Sequence, residues 1–252
     1  MTLLELSIAI FGGFFAGFIN TLAGNGSAIT LTILTEVFGL PGNIANGTNR
    51  IGVLAQGVFG SYIFHKNGKL KPERSIIILS TTIGGAIVGV ITAVYASNEQ
   101  FLNVFRFMMV AMLFVIIVKP KRWLKEPEDL GQLNRWITIP LFTVIGFYGG
   151  FIQMGMGIFF LAALVLVAKY SIIDSNAIKT FVVTAYTVLV VIIFQVRGLI
   201  VWEIGLTLAI GQAIGGWISA TFASKHPKAN VWAYRVLIFA VLLSIAAIFE
   251  II

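Results

Sequence analysis

Between Gly17 and Arg50 the chain reads GFINTLAGNGSAITLTILTEVFGLPGNIANGTNR, and there it collects Asn20, Thr21, Asn25, Ser27, Thr30, Asn46, Thr48, Asn49 and Arg50. These are neutral hydrogen-bond donors and acceptors, glycines and one guanidinium, and no charge lies between Glu5 and Glu36. Amides and hydroxyls can replace part of an anion's hydration, and a guanidinium can hold an oxyanion through two parallel hydrogen bonds. Gly24-Asn25-Gly26 adds a place where a ligand could approach bare backbone at the start of a helix, whose first N–H groups lack intrahelical partners. A weaker copy, GGFIQMGMG followed by AIKT, supplies Gln153, Gly157, Lys179 and Thr180. The candidate substrate-binding set is therefore Asn20, Gly24, Asn25, Gly26, Thr48, Arg50, Gln153, Gly157, Lys179 and Thr180. Each has a plainer reading: the glycines as helix-packing contacts, Arg50 as a side chain snorkelling to headgroups, Lys179 as an ordinary cytoplasmic lysine.

The rest of the composition bounds what these residues can do. The 252 residues are 58% hydrophobic and 11% charged, with a mean hydropathy of +0.98. Charge-free runs reach the roughly 20 residues that a spanning helix needs, so the fold expected is an all-α polytopic membrane protein. The formal charge of +7 sits beside the apolar runs, which points to membrane topology and not to nucleic acid. Cysteine is absent, which removes disulfides and thiolate chemistry. His65 and His226 share no ligand spacing, and no nucleophile–base arrangement or phosphate loop occurs, so neither metal, cofactor nor enzyme activity is expected. Glu36, Asp174 and Glu203 border apolar segments, either as proton-relay groups or as solvated helix-end carboxylates. The N-terminus MTLLELSIAI has no basic leader region, so a retained span is expected there.

The elements that must position the polar set come in two similar halves. Apolar runs at 6–35, 45–64, 75–98 and 101–118 are followed by KPKRWLKEPEDLGQLNR and then by runs at 136–168, 180–196, 204–224 and 229–249. Residues 1–118 and 136–252 thus form two transmembrane repeats joined by a cytoplasmic linker at 119–135. Gly17 and Gly24 match Gly150 and Gly157, Asn20 falls on Gln153, and Ala45-x-x-Thr48 matches Ala177-x-x-Thr180. The first run of each half is broken by glycine. If each such run is a hairpin that returns to the side it entered, then Lys66, Lys69, Lys71, Arg74, Lys119, Lys121, Arg122, Lys125, Arg135, Lys169, Lys179, Lys225 and Lys228 all share one side. A single crossing would divide them nine against four. Because Lys and Arg collect in the cytoplasm, the hairpin topology is expected: two inverted repeats, each a Gly-broken, short or re-entrant helical hairpin plus three transmembrane helices, with both termini outside the cell membrane. Two equal arms of such a run, about 15 residues each, would reach roughly 22 Å, short of a ~30 Å core.

The stretches GGFFAGFINTLAGNGSAI, GLPGNIANGTNRIG, GFYGGFIQMGMGIFF and NAIKT, in this order and duplicated, resemble the TauE/SafE-type sulfite exporter family over nearly the whole chain. Where that family usually has a G-x-G-G-G run, this chain has Gly-Asn-Gly-Ser and Gly-Met-Gly-Ile, with threonines in place of a following proline. The resemblance implies a secondary transporter, an exporter of sulfite, an organosulfonate or a similar small anion. Alternating access between the two repeats is the mechanism expected. An anion channel is the alternative, and a membrane scaffold or assembly protein is a more distant one. The partners expected are the anion and the lipid bilayer, with a coupling ion such as the proton and a homo-oligomer left open.

Overall fold

The computed structural model describes residues 1–70, 76–97, 99–100, 107 and 134–248. The span expected over 101–118, apart from Phe107, and the linker, apart from its last two residues, lie outside that set, as do Lys71 and Arg74. Among the described residues the regular structure is entirely helical: α1 (Leu3–Leu22), α2 (Gly26–Thr32), α3 (Gly42–Lys66), α4 (Ile76–Tyr95), α5 (Arg135–Phe151), α6 (Met156–Ala162), α7 (Ile172–Val196), α8 (Trp202–Lys225) and α9 (Ala229–Ile248). The helices α2 and α6 each continue as a π-helical turn, over Ile33–Val37 and Ala163–Val167. By length and composition four of these helices can cross a membrane: α1, α4, α7 and α8. The chain is a polytopic membrane protein.

Local chemistry explains where the helices begin and stop. Thr2 and Glu5 form a reciprocal capping box at the start of α1. Ser171 Oγ accepts from the Asp174 N–H at the start of α7. Gly24 (φ 85°) ends the α1 arm, and Gly155 (φ 73°) opens α6. The hairpin arms are unequal, contrary to the equal arms expected. Twenty residues form α1, whereas Gly26–Val37 is a short apolar helix whose 12 residues reach about 18 Å at 1.5 Å per residue.

The helices α3 and α7 also start earlier than the apolar runs suggested. Pro41 and Ser171 mark their true N-termini, because the polar residues that follow are helical and buried. Arg50 and Lys179 therefore lie two turns inside helices and not at their ends.

From the second hairpin arm to the end of the following helix, the two halves recur in fixed register. The starts at 26, 33, 42 and the ends at 32, 37, 66 return at 156, 163, 172 and 162, 167, 196, each 130 residues later. The identities matched in the sequence have drifting offsets instead, because most of those glycines sit where helices touch, at different points of the register.

Close glycine contacts give the direction in which each helix runs. Gly211 abuts Ile10 and Phe14, and Gly215 abuts Phe14 and Phe18, so α1 and α8 run parallel. Gly146 against Thr82 and Gly150 against Ala86 make α4 and α5 parallel as well. Gly205 meets Thr48, Gly52 meets Gln212 and Gly216 meets Gln56, which sets α3 parallel to α8. By contrast, Gly47 lies against Phe194, Gly57 against Thr184 and Gly60 against Thr180, so α3 and α7 are antiparallel. A hydrogen bond from Arg197 to the Tyr95 hydroxyl, 2.5 Å, joins the C-terminal ends of α4 and α7. Thus α1, α3 and α8 point one way, and α4, α5 and α7 the other. Since α1 and α3 point the same way, the chain between them turns back through α2. Small residues let these backbones approach closely, as membrane helix packing requires.

Candidate functional site

The site is built where the two broken hairpins meet. A Cβ placed on Gly24 would lie 2.5 Å from the Gly157 carbonyl carbon, and one on Gly157 would lie 2.5 Å from the Gly24 Cα. The two glycines are therefore each other's contact. Gly26 packs on the backbone of α1 at Ala16, and Asn25, buried, directly precedes α2. Each hairpin's first arm ends on a helix of the other half in the same way. Asn46 Nδ2 donates to the Phe151 carbonyl at 2.9 Å, and Asn176 Nδ2, 130 residues on, donates to the Leu22 carbonyl at 2.8 Å.

Both cations are buried deep in the protein. Arg50 is 0% exposed and Lys179 4%, which overturns the snorkelling reading of the first and the cytoplasmic-loop reading of the second. Arg50 donates to the carbonyls of Gly149 (2.8 Å) and Gly150 (3.1 Å), to Asn46 Oδ1 (3.2 Å) and to Gln153 Oε1. Lys179 Nζ donates to the carbonyls of Asn20 (2.8 Å) and Thr21 (3.1 Å) and to Asn176 Oδ1 (2.7 Å). Each cation thus sits at the C-terminal, partially negative end of the broken arm from the other half. Phe194 covers the Arg50 guanidinium at 5.9 Å.

Between these groups lies a small cavity of about 10 Å³, lined by Asn20, Val53, Gln56, Gly57, Gln153, Gly157, Lys179, Thr180 and Val183. That is room for about one water centre. Five of the ten residues singled out in the sequence therefore come together there: Asn20, Gln153, Gly157, Lys179 and Thr180. Arg50 reaches the cavity through Gln153, whereas Gly24, Asn25 and Gly26 form the apex beside it. Thr48 is engaged elsewhere: its Oγ1 accepts from the Val201 N–H at 3.0 Å, at the start of α8.

Sequence reasoning missed Gln56, Gly57, Val53 and Val183, and also Tyr186, whose hydroxyl donates to Gln153 Oε1 at 2.9 Å. The spacing held a signal for them. Residues 46, 49, 53 and 56 share one face of a helix of 3.6 residues per turn, and 176, 179, 183 and 186 repeat that face 130 residues later.

Among the described residues no carboxylate is buried. The arrangement can therefore do one thing well: two buried cations and a set of neutral amides stabilise negative charge without an acidic group to compete for it. Their hydrogen-bonded carbonyls offset part of the desolvation of the two cations, which otherwise costs several kcal/mol per ion.

Comparisons with known proteins agree with this picture. The chain matches the family described as Sulfite exporter TauE/SafE over residues 9–249. It is similar to the "Probable membrane transporter protein ORF9" of a Sinorhizobium species, 25% identical over 86% of this chain and 83% of the relative. It is also similar to the "Probable membrane transporter protein YfcA" of Escherichia coli K12, 22% identical over 84% and 78% of the two chains. A "Probable membrane transporter protein" of Haemophilus influenzae is 24% identical over 88% and 87%. No solved structure matches the chain. With nearly all of its length matched, the chain belongs to the TauE/SafE sulfite exporter family and is a membrane transporter, not an enzyme.

Proposed function

We propose that the protein is a secondary transporter that moves a small oxyanion, sulfite or an organosulfonate, by alternating access between two inverted repeats. The observation that carries this reading is the pair of buried cations, Lys179 lining the cavity and Arg50 bonded to its Gln153 wall, with no buried carboxylate among the described residues. The 130-residue recurrence of 26–66 at 156–196, with α1 opposed in direction to α5 and α3 to α7, supports the inverted repeats.

A cavity of about 10 Å³ is too small for an oxyanion, so binding requires the facing surfaces of α3 and α7 to part. The glycine contacts that let the two apices touch and separate suit such a movement. In the membrane, the ends that carry Lys66, Lys69, Lys169, Lys225 and Lys228 would face the cytoplasm, and both chain termini the outside. Lys69 and Lys225 line one polar pocket with Asp174, which supports a shared side for the loops that bear them.

The substrate class is tested by reconstituting the purified protein in proteoliposomes and measuring uptake of labelled sulfite, sulfate, thiosulfate and a short alkyl sulfonate. Saturable uptake of sulfite or the sulfonate is expected. Uptake no faster than in protein-free vesicles for all four would overturn the substrate assignment.

A further inference from the structure

One side chain at the centre is held by partners that leave it no choice of orientation. Gln153 lies at the second apex, 4% exposed, with a left-handed φ of 62° that only a well-determined environment maintains in a non-glycine residue. Its Oε1 accepts from Arg50 and also from the Tyr186 hydroxyl, 2.9 Å away. An arginine side chain can only donate, so the atom that faces it must be the amide oxygen. The Nε2 end of the amide is consequently turned away from Arg50, and Gln153 is one of the residues that line the cavity between the repeats.

We propose that the Gln153 Nε2 group is the neutral donor that binds an oxygen of the transported oxyanion, and that Tyr186 is a positioning residue that holds the amide in this orientation together with Arg50. The proposal rests on the anion-transport reading above and names the atom that reads the substrate. Arg50 then acts on the anion through its field and through Gln153, because its two Nη groups are already committed to protein acceptors. Polarisation along Arg50–Gln153 strengthens the donor: a guanidinium bonded to the amide oxygen draws electron density away from the N–H bonds. A neutral N–H also holds an anion more weakly than a free cation would, which suits a site that must let its ligand go.

The test is a double-mutant cycle on sulfite uptake in proteoliposomes, normalised to reconstituted protein. Tyr186→Phe removes only the hydroxyl and is expected to raise the half-saturation concentration about five-fold with little change in maximal rate. Gln153→Asn keeps an amide and tolerates the left-handed backbone, but draws the group back by one methylene and is expected to raise half-saturation about twenty-fold. If Tyr186 acts through Gln153, adding Tyr186→Phe to Gln153→Asn changes nothing further. Additive effects of the two substitutions would overturn the positioning role.

Gln153→Glu separates the donor from the scaffold, since it keeps an acceptor oxygen for Arg50 and Tyr186 and replaces the N–H₂ by a second oxygen. Loss of saturable uptake with an unchanged melting temperature is expected, and unchanged half-saturation would overturn the donor assignment. Absence of uptake by the unsubstituted protein would instead count against the anion-transport reading itself, so the two failures are distinguishable.

Discussion

Arg50→Lys is expected to lower apparent affinity for the transported anion by roughly ten- to a hundred-fold, and Arg50→Gln to lower it further. The guanidinium makes hydrogen bonds to four acceptors that lie on α3, on the end of α5 and on the apex residue Gln153. A lysine has three donors on a single nitrogen and cannot span that set. Because those acceptors belong to the protein, the loss reaches the anion through a displaced Gln153 amide and a shifted charge, and a ten- to hundred-fold fall in affinity corresponds to about 1.4–2.8 kcal/mol. Arg50→Gln also removes one of the two buried positive charges and leaves the Gly149 and Gly150 carbonyls without this partner. The measurement is the concentration dependence of oxyanion uptake for each variant, normalised to membrane expression. A half-saturation for Arg50→Lys equal to that of the unsubstituted protein would remove Arg50 from the binding machinery.

Gly24→Leu and Gly157→Leu are expected to abolish transport outright, through the meeting of the two apices. The backbone at Gly24 has φ 85°, a conformation that side chains rarely adopt, and its would-be Cβ points at the Gly157 backbone 2.5 Å away. A leucine there must force the hairpins apart, and the cavity walls contributed by Asn20 and Gln153 would separate with them. Gly68, also left-handed at φ 69° but with open space around it, makes the matched comparison. Gly68→Leu strains the backbone of a loop without touching the hairpins and should retain transport. Uptake and membrane amount are measured together for all three variants. Normal transport by Gly24→Leu would mean that the apices need not meet.

Much of this arrangement was legible in the residues. The charge-free runs, the glycine breaks and the duplicated order of motifs pointed to helical membrane hairpins, and the placement of lysines and arginines pointed to a chain that turns back within each half. Arg50 and Lys179 were singled out by the polar company they keep, although their depth was not. A cation after a run of asparagines reads as a helix start near water. Here Asn46 and Asn176 donate their amides to carbonyls of the opposite half, and the helices begin about two turns before the cations and carry them inward.

Register was the other gap. Gly24 and Gly157 aligned as equivalents, yet they are contact partners, and the residue 130 positions after Gly24 is Met154. Glycine is selected wherever two backbones touch, so identity between glycines marks contact as readily as it marks equivalence. Tyr186 escaped notice because a lone aromatic in an apolar helix usually packs in the core, and only the facing amide of Gln153 gives its hydroxyl a purpose.

The central claim is that one oxyanion at a time is carried between two repeats that open alternately, and counterflow tests it most directly. Proteoliposomes containing the protein are preloaded with unlabelled sulfite and diluted into a trace of labelled sulfite. An alternating-access carrier brings label in, while the excess unlabelled sulfite inside outcompetes it for the return trip, so labelled sulfite should accumulate transiently above its external concentration. The overshoot should vanish when the vesicles hold no sulfite and in Gly24→Leu. Labelled uptake that never exceeds equilibrium, with flux rising linearly with sulfite concentration, would contradict the account and assign the protein to the channels.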